Sequence, residues 1–239
     1  MSLDMNKEIT REDLSKNGLL IKDIKEKTEE LQIIAVKNNP LSVEYIENLS
    51  EEAGILAVTA LWNSLKYIKN PTEKIIKRAL EVKGWAIQYV ENPTYEMKIL
   101  AIESDFDSIR YIENPEEELQ KKAIEKYWGA IKYIKNPTLE SKLLAITKSE
   151  EAINFMSNYS YDEIKDFLSA NINVFKYVYD SVDIDIVLEV LKEKFEDGTM
   201  TYEYMKSYID LEMLEMDKLE FVKTYGDRKS KKFIVDCVL

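Results

Sequence analysis

Apolar side chains fall at Ile75, Ile76, Ala79 and Leu80, and then at Ala86, Ile87, Tyr89 and Val90. The first group, at i, i+1, i+4 and i+5, marks one face of a helix over about 71–82. The second predicts a shorter helix over about 85–91, after a break at Lys83-Gly84. The pattern then repeats. Tyr67-Ile68-Lys69-Asn70-Pro71 returns as Tyr89-Val90-Glu91-Asn92-Pro93, as Tyr111-Ile112-Glu113-Asn114-Pro115 and as Tyr133-Ile134-Lys135-Asn136-Pro137, in steps of 22 residues. A fixed period in this range is the signature of a repeat architecture.

The columns extend beyond these motifs. Ala35, Ala57, Ala79, Ala101, Ala123 and Ala145 share one column, each followed by an aliphatic residue from Val36 to Ile146. Asn48, Asn70, Asn92, Asn114, Asn136 and Asn158 share another. Ser42, Ser64, Ala86, Ser108, Ala130 and Ala152 form a small-residue column, expected where helices approach closely. Asn before Pro predicts a helix start, with Asn as N-cap and Pro at the first helical position. Glu96, Glu118 and Glu140 then suit the first turn. The tyrosines, between inward aliphatics, read as core residues whose hydroxyls reach the edge; stacked aromatics gripping a peptide or bases are the alternative.

Helices this short do not persist alone, so the pairs must stack. The expectation is all-α: one elongated α-solenoid of about seven 22-residue helix pairs, roughly 70 Å long at ~10 Å per layer, with a helical C-terminal cap. Residues 1–26 form a partial capping repeat, 27–180 the solenoid and 181–239 the cap. Within the cap, helices are expected over Ile184 to Phe195, Thr201 to Ile209, Glu212 to Tyr225 and Lys231 to Val238; a separate partner-binding module is the other reading. Met1 to Asp4 read as a remnant ahead of a native start at Met5.

Ala86-Ile87-Gln88-Tyr89-Val90-Glu91-Asn92-Pro93-Thr94-Tyr95-Glu96, followed by Lys98-Ile99-Leu100-Ala101-Ile102, resembles the tandem helical repeats classed as domain of unknown function 4116. The match covers about residues 27–158 and departs from the cadence at Leu49 and Glu116 and in the unit at 137–158, which shortens toward Asn154-Phe155. Those repeats are typical of bacterial, phage and giant-virus proteins. The resemblance implies a fold and no chemistry.

Composition narrows the function classes. The chain has 239 residues, one cysteine and no histidine. An internal disulfide framework, zinc sites built on His or Cys, and Ser-His-Asp or Cys-His catalysis are thereby excluded. Cys237 reads as buried filler. Glu29-Glu30, Glu116-Glu117-Glu118 and Glu150-Glu151 read as acidic helix starts, and Asp183 and Asp185 lack the other ligands of a calcium loop. Six scattered glycines supply no phosphate loop. No cofactor or metal is expected, and no enzyme. No apolar run approaches a membrane span of ~18 residues and no signal-peptide pattern is present, so a cytoplasmic protein is expected.

The net charge of −12 disfavours direct binding to nucleic acid or to an anionic membrane. The charge is uneven: −5 over residues 1–61, +2 over 62–148, −4 over 149–180 and −5 over 181–239. In the near-neutral middle, the positions one before the tyrosine column carry Lys66, Gln88, Arg110 and Lys132, with Lys69 and Lys135 nearby. These six are the candidate binding row, interrupted by Glu91 and Glu113; a solvated mixed face is the plainer reading. Trp62, Trp85 and Trp128 sit at the break between the helices, either packing that corner or offering an interface anchor. The expected function is a non-catalytic protein–protein interaction scaffold. The alternative is an acidic decoy, such as a phage would encode, competing for a nucleic-acid-binding protein.

Overall fold

A computed structural model describes residues 9–156 and 159–238, with side chains to residue 236. Met1 to Met5, Asn158 and the Cys237 side chain, on which expectations were placed, lie outside the described residues. Every element among the described residues is helical. The chain divides into two compact units, one ending at Pro115 and one beginning at Glu116. The division falls between repeats, and the pattern border at 180/181 lies inside the second unit.

The first unit alternates α-helices with 3₁₀ helices. The α-helices are α1 (Arg11–Lys16), α2 (Glu29–Asn38), α3 (Glu51–Ala60), α4 (Glu73–Val82) and α5 (Tyr95–Ser104). Each is followed by a 3₁₀ helix of six residues: η1 (Gly18–Asp23), η2 (Pro40–Tyr45), η3 (Trp62–Tyr67), η4 (Gly84–Tyr89) and η5 (Phe106–Tyr111). Each α-helix packs on its α neighbours and each 3₁₀ helix on its 3₁₀ neighbours, giving a solenoid-like layering. The N-terminal repeat, expected to be partial, has this same geometry with a shorter α-helix, and Leu14 and Ile21 are fully buried.

The second helix, expected over about 85–91, runs Gly84–Tyr89 and does not have an α period: it is a 3₁₀ helix. It is only two turns long and enters and leaves through extended residues, such as Lys83 (φ −155°, ψ 114°) and Val90 (φ −103°, ψ 113°). Its bonds run over three residues, as in Ala86 N–H to Lys83 O at 2.9 Å and Val90 N–H to Ile87 O at 3.0 Å. Nor does Asn-Pro start the α-helix. The N-cap is the hydroxyl residue after the proline: Thr72, Thr94 and Thr138 accept from Ile75, Met97 and Ser141 N–H. Asn70 and Asn114 instead turn the chain, at φ 52° and 46° in the left-handed region that Asn tolerates. Asn-Pro acts as cap and first residue only at Asn39-Pro40, where Asn39 Oδ1 accepts from Leu41 N–H and η2 begins.

The core columns follow from the two periods. The alanines from Ala35 to Ala145 are fully buried, as are the small residues Ser42, Ser64, Ala86, Ser108, Ala130 and Ala152. Val43, Leu65, Ile87, Ile109, Ile131 and Ile153 are the inward residues of the 3₁₀ layer. With three residues per turn, Ile87 and Val90 lie on one line and Tyr89 lies off it. The tyrosine column is accordingly not core. Tyr67, Tyr89, Tyr111 and Tyr133 are half-buried, and Tyr45, Phe155 and Tyr177 are exposed.

Polar groups lock the layers. Gln32, buried at 4% exposure, donates to Lys27 O at 2.8 Å and Asn48 O at 3.0 Å, and accepts from Ser50 N–H at 2.8 Å. One amide thus holds the turns on both sides of α2. Gln120, four repeats later in the same column, accepts from Thr138 N–H at 3.0 Å. Ser64 and Ser108 are less well served: each hydroxyl is buried with no hydrogen-bond partner.

The second unit continues with α6 (Glu117–Lys126), η6 (Trp128–Tyr133), α7 (Leu139–Lys148), η7 (Glu150–Phe155), α8 (Tyr161–Ala170), η8 (Ile172–Val174) and α9 (Phe175–Val178). Four helices follow: α10 (Ile184–Glu196), α11 (Tyr202–Asp210), α12 (Lys218–Tyr225) and α13 (Arg228–Val238). Gly198, at φ 64°, ends the α10 turn. The helix expected from Glu212 begins only at Lys218, because Leu211 and Leu214 are buried as anchors of a turn. The last helix begins before Lys231, at Arg228. α10 packs on α8 where a further α-layer would lie, and α11 packs on η8. Tyr204 donates to Leu168 O at 2.8 Å, and burial pushes its hydroxyl pKa well above the usual tyrosine range. Lys218 caps α11 by donating to Ile209 O at 2.8 Å and Leu211 O at 2.6 Å, and burial lowers its pKa.

Two substitutions separate served from unserved polar groups. Gln32→Leu strands one N–H and two carbonyls and should lower stability by about 3 kcal/mol in urea denaturation. Ser64→Ala removes a hydroxyl that has no partner, in a column that accepts Ala elsewhere. It should leave stability unchanged or raise it by up to about 1 kcal/mol; a clear loss would contradict the unpaired assignment.

Candidate functional site

The six expected binding residues are all exposed on the 3₁₀ side of their units. In the first unit, Lys66, Gln88 and Arg110 occupy the same position on η3, η4 and η5, beside the half-buried tyrosines. They differ in freedom. The Lys66 ammonium lies 5.6 Å from the centre of the Tyr67 ring and forms no ion pair with a described residue. Gln88 donates to Trp85 O at 2.9 Å. Arg110 is bound into a cluster: it donates to Asp107 O and Asp107 Oδ2, both at 3.1 Å, and its guanidinium lies 5.4 Å from the Trp85 ring. Lys69 pairs with Glu47 at 3.8 Å, with both side chains largely in solvent, a contact worth little energy.

Several polar groups converge around Arg110. Trp85 Nε1 donates to Asp107 Oδ1 at 2.7 Å. Lys83 lies 4.9 Å from the Trp85 ring and pairs with Asp105 at 2.5 Å, while Asp105 Oδ2 also accepts from Gly84 N–H at 2.7 Å. Trp85 meets Tyr111 edge-on at 6.0 Å, and Trp62 stacks on Tyr89 at 6.1 Å and 23°. Each tryptophan therefore packs against the tyrosine of the next repeat while staying half-exposed, so the corner-packing and anchor readings describe the same side chain. Asp105 and Asp107 were absent from the candidate row. Their signal was in the sequence as donor–acceptor pairing at one repeat length: Lys83 with Asp105 and Trp85 with Asp107, each separated by 22 residues.

In the second unit, Lys132 lies 4.7 Å from the Tyr133 ring and 5.8 Å from that of Phe155, with no ion pair to a described residue. Trp128 packs at 6.0 Å on Phe155. Lys135 borders an open notch of about 250 Å³, lined also by Ile134, Pro137, Lys142, Phe155 and Met156. Lys142 is mostly buried there and pairs with Glu163 at 2.6 Å. That hydrogen bond, with Ser160 N–H donating to the same carboxylate at 2.9 Å, holds the Glu163 pKa below the usual carboxylate range. A smaller groove, about 200 Å³, lies between η8 and α11 and includes Asn171, Glu203 and Tyr204.

Among the described residues no group of three or more Cys, Asp and Glu side chains is arranged to hold a metal ion, and no helix is long and apolar enough to cross a membrane. No protein-family model matches the chain, and neither a curated protein nor a solved structure does.

The notch carries a pH dependence of known sign. A carboxyl whose folded pKa is depressed adds stability that is present above its unfolded pKa, near 4.3, and is lost as pH falls through the folded value. Glu163→Gln should therefore cost stability at pH 7, and the gap from the parent should close on acidification below about pH 4. Urea midpoints of both proteins across that range check this; a gap that persists at pH 3 would assign the loss to packing.

Proposed function

We propose that the chain is a non-catalytic protein–protein interaction scaffold that uses the 3₁₀ side of its helix pairs. One observation carries this reading: the buried columns barely change from repeat to repeat, while the exposed residue beside the tyrosine changes from Glu44 to Lys66, Gln88 and Arg110. A constant frame with variable outward positions is how layered repeats present distinct surfaces. Half-exposed aromatics beside Lys66 and Arg110 supply the anchor chemistry that protein interfaces favour. Membership in the repeats of domain of unknown function 4116 is part of the same proposal, supported by the 22-residue cadence. The cytoplasm is the compartment proposed, on the absence of cysteine pairs.

The net charge of −12 favours a second reading, the acidic decoy for a nucleic-acid-binding protein. Salt separates the two, since a charge-driven decoy releases its target as ionic strength rises.

The test is affinity capture from the source cell, followed by charge reversal one unit at a time. Lys66→Glu with Arg110→Glu addresses the first unit, and Lys132→Glu with Lys135→Glu the second. The scaffold reading expects one pair to weaken the captured complex at least tenfold (about 1.4 kcal/mol) while binding of the parent survives roughly 0.5 M salt. Retention of the complex by both double variants would remove the 3₁₀ row as the site.

A further inference from the structure

The last helix breaks a rule that the other long helices keep. Among the described residues, every other α-helix of eight or more residues has Asp or Glu in its first turn, where negative charge suits the dipole. α13 has none and opens Arg228-Lys229-Ser230-Lys231-Lys232. The four cations are all exposed and none forms an ion pair with a described residue. Lys229 lies 5.4 Å from the Phe233 ring. Asp227 is occupied at the helix start, accepting from Ser230 N–H at 2.7 Å. Ser230 is fully buried and Phe233 meets Tyr202 at 5.7 Å, which fixes the inner side of the helix. Arg228, Lys231, Lys232 and Val235, at i, i+3, i+4 and i+7, then share the outer face. Val235 is 50% exposed.

This outward, unpaired positive face sits on a unit whose sequence, residues 116–239, carries a net charge of −7. Asp227 attracts Lys229 and Lys231 and so offsets part of the repulsion among the four cations, while Arg228 and Lys232 form no ion pair with a described residue. We infer that the outer face of α13 docks an acidic protein segment. The chemistry favours a short acidic segment over an extended polyanion. Cations at i, i+3 and i+4 present charge over one helical turn, the spacing at which an acidic helix presents its carboxylates. A long nucleic acid or a charged lipid surface would also meet the acidic remainder of the unit, which repels it. Val235, one turn beyond Lys231 and Lys232, adds an apolar contact at the end of the charged face. The proposal is independent of the 3₁₀ row, since it rests on the residues of α13 alone.

The experiment uses the full chain and three probes: a fluorescent poly-L-glutamate short enough to span only a few helical turns, a DNA duplex of similar charge, and vesicles containing phosphatidylserine. Variants are Arg228→Glu/Lys231→Glu/Lys232→Glu, the milder triple change to Gln, and Lys66→Glu/Arg110→Glu as a control. The expected result is poly-L-glutamate binding at roughly 50 mM salt that weakens about tenfold or more in either α13 variant and is unchanged in the control. The Gln variant keeps the test valid if charge reversal loosens the helix, which circular dichroism reports. Absence of poly-L-glutamate binding, equal binding by parent and α13 variants, or tighter binding of DNA or vesicles through the same cations would each overturn the inference.

Discussion

Close approach between layers is the constraint on which the structure depends. A ten-residue α-helix and a two-turn 3₁₀ helix have too few internal bonds to persist alone. They are held by contact with the layer before and the layer after, and only small side chains permit that contact. The alanine column is fully buried, and so is the column that alternates Ser with Ala. At Gly84 the fit is tighter still: a Cβ there would lie 2.1 Å from the Ala101 carbonyl oxygen, so that position accepts no side chain. Because the backbones meet so closely, the larger residues are displaced to the flanks, and the flanks are where tryptophan, tyrosine and charge accumulate.

That displacement explains which parts of the molecule were legible in its sequence. The 22-residue frame, the alanine column and the small column could be read directly, since a buried position tolerates few residue types and so repeats visibly. The joint could not. Asn-Pro has a strong local meaning as cap and first helical residue, but the hydroxyl of Thr72 lies two positions further on and takes that role, leaving Asn70 to reverse the chain. The tyrosines were misplaced for a related reason. Tyr89 lies between the inward Ile87 and Val90 in the sequence, but a residue two positions from Ile87 points away from it whether the period is 3 or 3.6.

The candidate row shows the same limit. Register placed Lys66, Gln88 and Arg110 on one line, correctly for exposure. Register says nothing of what a side chain does with its charge. Lys66 lies over the Tyr67 ring with no ion pair to a described residue, while Arg110 is drawn into the Asp107–Trp85 cluster. The four cations of α13 lie outside the repeat and had no column to reveal them.

The pairs Lys83–Asp105 and Trp85–Asp107 carry a consequence for how such a chain can change. Each is written half in one unit and half in the next, so neighbours are specific to one another although their cores are nearly interchangeable. A duplicated or deleted unit would restack its alanines without difficulty and still leave the Gly84 N–H facing a residue chosen for another place. The order of the units is thus inscribed in the molecule along its polar edge, and lengthening the array requires the junction to be rewritten together with the unit.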